Sequence, residues 1–250
     1  MEIKYLSIFF SVCGIASLFF LSLLSEPVYV DLSEISKYEG KEIITEGIVV
    51  DKYETKYRNT ILFLVKALPD RENNTITTFI EEPINNIEYG DKIRLQGEVQ
   101  KYKGDFEIYV SEAKQIRILE KWNSRSTPLR SIAKTPWGYQ GINLKILCKI
   151  EKIYHTYLVL KDIRENQKII LFYDLDKTNE TLRENDIVYI NAKIEYNPND
   201  FSYFLETIGD NPLKRVEEWD GLYFFHIFNC SFSWWCNSRL LNWVGARTSC

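Results

Sequence analysis

The sequence is poor in the residues that build metal centres and acid–base sites. Its 250 residues hold two histidines, five cysteines and one methionine. No Cys-x-x-Cys pair occurs, and His155 and His226 cannot make a zinc ligand set between them. Phosphate-loop, G-x-S-x-G and H-E-x-x-H motifs are missing as well, so the common catalytic acids, bases and nucleophiles have no signature here. The chain is read as non-enzymatic, with no cofactor and no metal. An excess of positive charge is also lacking. From Val28 to Glu120, 13 Lys and Arg face 18 Asp and Glu, a net of −5, and from Pro136 to Trp219, 11 face 14, a net of −3. Long-range attraction for a polyanion is thereby excluded, and any phosphate contact must be local and salt-sensitive.

What the chain does have is one long apolar run. Leu6 to Leu24, LSIFFSVCGIASLFFLSLL, is 19 residues without a charge, close to the ~20 that cross a bilayer as a helix. It is longer than the apolar part of a cleaved leader and lacks an Ala-x-Ala site. We expect one transmembrane helix over residues 5–25 and a single-pass membrane protein. Lys4 before the run, against Glu26, Asp31 and Glu34 after it, places the bulk of the chain outside the cytoplasm. Sequons at Asn73, Asn179 and Asn229 suit that side.

The remainder reads at period two. In YGDKIRLQGEVQKYKGDFEIYV, Tyr89 to Val110, the residues Ile93, Leu95, Gly97 and Val99 share one face, and Arg94, Gln96, Glu98 and Gln100 share the other. A turn at Lys103-Gly104-Asp105 returns the chain through Phe106, Ile108 and Val110, which makes a hairpin. Gly97 inside a strand marks a bend or a close approach, as small barrels require. The pattern recurs 95 residues later without a gap: Asp91 matches Asp186, Leu95 matches Ile190, Gly97 matches Ala192, Gly104 matches Asn199 and Val110 matches Leu205. Two copies of one fold follow. Asp91, Asp105, Asp186 and Asp200 all fall at turns, where aspartate bonds its own backbone.

Each copy shows five strands with a short, helix-compatible stretch between the third and fourth, EPINNIEYG and DLDKTNETLRE. The expected fold is all-β, two tandem five-stranded Greek-key barrels after the transmembrane helix. The first domain runs over 28–120, a linker with Lys121, Arg125, Arg130 and Lys134 over 121–137, the second domain over 138–219, and an aromatic, cysteine-containing tail over 220–250. The tail is open to two readings, a membrane-interface segment or translation past the natural end of the domain, and Cys230 and Cys236 could pair in it. In place of Gly47 in the first strand of copy one, copy two has Cys148.

The stretches GKEIITEGIVVDKY and YGDKIRLQGEVQKYKGDFEIYVSEAKQI, within Gly40 to Leu119, resemble the tRNA anticodon-binding type of OB-fold nucleic-acid-binding domain. One membrane segment before such a domain is also similar to archaeal membrane-anchored OB-fold proteins. The resemblance implies single-stranded DNA or RNA held on the second and third strands by aromatic stacking and basic side chains. In the first copy that points to Lys52, Tyr53, Lys56, Tyr57 and Arg58 in one loop, Lys66 and Phe79 on the strands, and Lys101, Tyr102 and Lys103 at the hairpin tip. The other reading from the sequence is an envelope scaffold whose barrels contact a partner protein.

Overall fold

The computed structural model describes residues 3–24, 26–69, 75–174 and 181–216. After helix α1 (Ile3–Leu24) come β1 (Val28–Tyr29), β2 (Glu42–Glu54), β3 (Thr60–Val65), β4 (Ile76–Ile80), β5 (Lys92–Tyr102), β6 (Asp105–Val110) and β7 (Ile116–Glu120). They are followed by β8 (Ser126–Pro128), the short helix α2 (Leu129–Lys134), β9 (Asn143–Ile153), β10 (Tyr157–Lys161), β11 (Lys168–Phe172), β12 (Ile187–Asn197), β13 (Ser202–Thr207) and β14 (Leu213–Arg215). The tail with its Cys230–Cys236 pair, and most of DLDKTNETLRE, lie outside the described residues.

The chain is all-β with two closed five-stranded barrels. In the first, β2-β3-β4-β6-β5 closes on itself through β2–β5, and in the second, β9-β10-β11-β13-β12 closes through β12–β9. In each, the third strand runs parallel to the fifth, β4 to β6 and β11 to β13. That is the order of an OB fold. The stretch EPINNIEYG forms no helix. Its backbone is pinned instead by Lys52, whose Nζ donates to the carbonyls of Ile84 and Ile87 at 2.5 and 3.2 Å.

A helix does form at the N-terminus, over 22 residues. Its side chains are described from 7 to 19, and there Ile8, Phe9, Phe10, Val12, Ile15, Leu18 and Phe19 stand exposed. Among the described residues no helix is long and apolar enough to cross a membrane, so the expected span is not shown.

Strand pairing ties the two copies together residue by residue. Gly47 lies opposite Ile93 and Cys148 opposite Val188, so the two small residues hold one place. Both first strands carry a bulge at the same step, with Val50 and Glu151 the extra residues. At Gly97 a β-carbon would stand 2.5 Å from the carbonyl oxygen of Tyr109, whereas Ala192 tolerates one. The hairpins differ. Tyr102 pairs with Asp105 across a two-residue turn, but Asn197 pairs with Ser202 across four residues, so beyond the turn the copies match at a spacing of 97 rather than 95. Ile108, not Val110, is the counterpart of Leu205. A slip of two preserves which face points inward, and the alternation therefore hides it.

Each barrel is also plugged at one end. Leu32 and Ile35 of a 3₁₀ turn (Leu32–Tyr38) are buried in the first core, and Leu129 and Ile132 of α2 are buried in the second. The segment 121–137 thus supplies a strand and the plug of the second barrel. Burial of each such side chain contributes about 1.5–3 kcal/mol. Both plugs are held by a carboxylate on an equivalent backbone N–H: Asp31 accepts from Ser33 at 3.0 Å, and Asp162, from the β10–β11 loop, accepts from Arg130 at 3.0 Å.

The barrels share one compact unit and a continuous apolar contact. Ile48, Val50 and Val65 of the first barrel belong to the core cluster of the second, with Phe63 and Leu68 packed against it. Gly138 lies so close to Pro69 that any β-carbon there would overlap it, and Ile142 and Asn143 lie against Gly90.

Candidate nucleic-acid interface

The β2–β3 loop is a tight turn built by Thr55. Its Oγ1 accepts from the backbone N–H groups of Tyr57 and Asn59 at 3.3 and 3.2 Å, and Arg58 takes a left-handed backbone at φ 66°. This throws Lys56 and Tyr57 outward. Tyr57 is 74% exposed with the Lys56 ammonium 4.9 Å from its ring centre, and Tyr53 is 49% exposed, 6.0 Å from Phe63. At the other hairpin, Lys103 (φ 52°) and Gly104 form the turn, and the Lys103 ammonium sits 5.1 Å from the centre of the exposed Tyr102 ring.

The ten residues named from the sequence do not form one cluster. Thr60 pairs with Ile80 and Leu64 with Ile76, while β4 runs parallel to β6, so the β2–β3 loop lies at one end of this wall and the Lys103 tip at the other. About 20 Å of strand separates them. Lys52 is spent on Ile84 and Ile87, Lys66 pairs with Asp31 at 2.7 Å, and Lys101 pairs with Glu39 at 3.2 Å. Burial pulls the Lys52 ammonium below its ordinary pKa, and the hydrogen bond from Lys66 holds the Asp31 carboxyl down to about 2. Among the described residues Lys56, Arg58 and Lys103 have no ion-pair partner.

Between the two ends the wall is aromatic and acidic. Phe79 stacks on Tyr109 at 6.2 Å, Glu98 lies opposite Tyr109, and Glu107 takes a hydrogen bond from Gln100 at 2.6 Å. The Tyr109 hydroxyl is bonded to Glu81, which raises its pKa. A cleft of about 500 Å³ adjoins Tyr53 where the barrels meet, bordered by Glu54, Glu88, Tyr89, Asn143 and Lys193. The Tyr89 hydroxyl donates to the Lys52 carbonyl at 3.3 Å, and the Lys193 ammonium lies 6.0 Å from the Tyr89 ring.

Of the four turn aspartates, Asp91 and Asp186 work on backbone, whereas Asp200 accepts from the side-chain amide of Asn197 at 2.6 Å. Asp91 is fully buried and accepts from the N–H groups of Glu88 and Trp122 at 2.9 and 3.0 Å and from Lys121 Nζ at 2.9 Å. Asp186 accepts from the N–H of Arg183 at 2.9 Å. Among the described residues no group of three or more His, Cys, Asp and Glu side chains is placed to hold a metal ion.

No family model matches this chain. No curated protein matches it either. Solved structures similar to it include the OBody AM1L10 bound to hen egg-white lysozyme, at 20% identity over 37% of this chain and 93% of that chain, with a TM-score of 0.29. The aspartyl tRNA synthetase from Entamoeba histolytica is similar at 16% identity over 37% of this chain and 21% of that chain, with a TM-score of 0.29. The strand pairings, rather than these likenesses, carry the assignment of the fold.

The reading from sequence passed over the second barrel, where the aromatic side chains connect. Tyr154 stacks on Tyr157 at 4.4 Å, Tyr157 meets Phe172 at 6.2 Å, and Phe172 meets Phe204 edge-on at 5.2 Å. Tyr154 is the structural counterpart of Tyr53, and Phe172 of Phe79. Carrying the candidate positions of copy one across to copy two would have found both.

Proposed function

We propose that this chain is a membrane-tethered, non-catalytic protein that holds single-stranded nucleic acid against its first barrel. The observation that carries the reading is the pairing of exposed rings with uncommitted cations at the two loop tips, Tyr53 and Tyr57 with Lys56 and Arg58, and Tyr102 with Lys103. Rings at such tips stack on bases of any sequence, and cations beside them follow the phosphates. The tether rests on α1, whose described apolar side chains point to every side of the helix and so have no wet face. Lys4 ahead of it, with Glu26, Asp31 and Glu34 after it, supports an outer location for the barrels, a topology that protease accessibility in intact cells tests.

The acidic wall supports a second reading. Glu81, Glu98 and Glu107 around the Phe79–Tyr109 pair disfavour a phosphate and suit a basic protein partner. The two readings separate in fluorescence anisotropy on the full-length chain in detergent with a labelled oligothymidylate at about 50 mM salt. Binding is expected, and Lys56→Ala, Arg58→Ala and Lys103→Ala together should weaken it at least tenfold, about what the loss of three phosphate contacts implies. No binding by the unaltered chain retires the nucleic-acid reading.

A further inference from the structure

The first sheet ends in an unpaired edge. Strand β7 pairs only with β5, and among the described residues no backbone hydrogen bond reaches its other side. A free edge of this kind is a template for a further strand. Alongside it runs the segment 82–87, which follows β4 without pairing with β7. The two are clasped at both ends: Glu82 Oε2 accepts from the N–H of Ala113 at 2.7 Å, and Lys121 Nζ donates to the carbonyl of Asn86 at 2.7 Å. Between the clasps lies a cleft of about 490 Å³.

This cleft opens onto the core of the first barrel. Ile116 and Ile118 lie opposite the buried Leu95 and Ile93 and so point inward, yet both are only half-buried, because among the described residues nothing covers them on the cleft side. Ile84 and Ile87 complete the apolar lining. Lys52 holds the carbonyls of Ile84 and Ile87 from behind, and the Thr60 hydroxyl accepts from the N–H of Ile84, so the far wall is fixed before anything binds. Arg117, between the two isoleucines of β7, points outward. It stands opposite Arg94, whose guanidinium is committed to Glu46 at 3.0 and 2.6 Å, and it has no ion-pair partner of its own among the described residues. No described acid lines the cleft.

Alternation dictates the pattern of a strand laid beside β7. Residues level with Ile116 and Ile118 face the core and must be apolar, whereas the residue between them faces out beside Arg117, where a carboxylate is the complementary group. We infer that the seam between β7 and the segment 82–87 is a strand-addition site for an extended peptide that reads apolar, acidic, apolar at its centre. Backbone hydrogen bonds to the β7 edge supply affinity, and the two aliphatic side chains and one carboxylate supply selection. The seam shares no residue with the loop tips that carry the nucleic-acid reading.

The test uses the full-length chain in detergent and a labelled, end-capped heptapeptide, Val-Thr-Val-Glu-Val-Thr-Val. Fluorescence anisotropy should show saturable binding below about 1 mM, and amide exchange in β7 should slow when the peptide is added. Arg117→Glu should weaken this peptide at least tenfold and bind the same peptide with a central Lys in preference, since like charges now meet where opposite ones did. N-methylation of every second peptide amide should abolish binding in the phase that faces β7, a result that needs no change to the protein. Binding that survives N-methylation in both phases makes the cleft a side-chain pocket and overturns strand addition. So does a lack of saturable binding, unchanged exchange in β7, or an unaltered preference in Arg117→Glu. Oligothymidylate affinity should be the same in Arg117→Glu as in the unaltered chain, which keeps the fate of this site distinct from that of the nucleic-acid reading.

Discussion

The two barrels agree inside and disagree outside. Inward positions match through the closing pairs, the shared bulge and the carboxylate-capped plugs. On the outer wall Ile48, Val50 and Val65 in one copy stand where Lys149, Glu151 and Lys161 stand in the other. The difference teaches that closing this barrel constrains only alternate residues. The remaining half of each strand is free to become a contact in one copy and a charged surface in the other.

The largest expected effect comes from forcing one wall to resemble the other. Val65→Lys puts the second copy's charge into the inter-barrel contact, where Val65 is fully buried. It should cost about 3–5 kcal/mol, the penalty of an uncompensated buried charge, and urea denaturation should split from one transition into two. A single unshifted transition would break the claim that this wall docks the barrels.

A smaller contrast concerns the plugs. Asp162 is nearly buried and accepts from the N–H groups of Arg130, Arg164 and Glu165, whereas Asp31 is partly exposed and caps its own turn. Asp162→Ala should cost about 2–3 kcal/mol through stranded backbone donors, and Asp31→Ala about 1 kcal/mol. Asp31 also carries a pH dependence. Its folded value of about 2 lies below its ordinary 3.8, so its contribution is complete above 3.8 and disappears as pH falls toward 2. The stability difference between the unaltered chain and Asp31→Ala should hold constant above pH 3.8 and shrink across that window in acid titration.

The smallest effect has the opposite sign. Thr78 is fully buried in the first barrel with no hydrogen-bond partner for its hydroxyl among the described residues, where the second barrel has Leu171. Thr78→Val should raise stability by about 1 kcal/mol. A loss in thermal denaturation would mean that the hydroxyl is satisfied after all.

Much of this was legible from alternation and turn residues. The strands, the hairpins, the matched Gly47 and Cys148 and the aspartate turns are all local patterns. The plugs were not, because a two-turn segment such as Leu129 to Lys134 has too few residues for a helical period to stand out from a linker. The hairpin slip was invisible because two added residues leave parity intact. The ten candidate positions in the first barrel were legible as residue types, but the ion pairs that occupy Lys66 and Lys101 depend on Asp31 and Glu39 arriving from a distant segment. That Lys161 stands opposite both Lys149 and Lys168 was hidden for the same reason: the first of these pairings exists only once the bulge at Glu151 fixes the register.

The contact between the barrels joins unlike surfaces, the side of one to the end of the next, and such a joint carries no stop signal of its own. Repeated, it would grow a fibre. The wall of the second barrel carries Lys149, Glu151 and Lys161 where the first has Ile48, Val50 and Val65, and the first barrel has Lys41 and Glu42 where the second has Ile142 and Asn143, so neither surface offers the apolar match that a second joint of this kind requires.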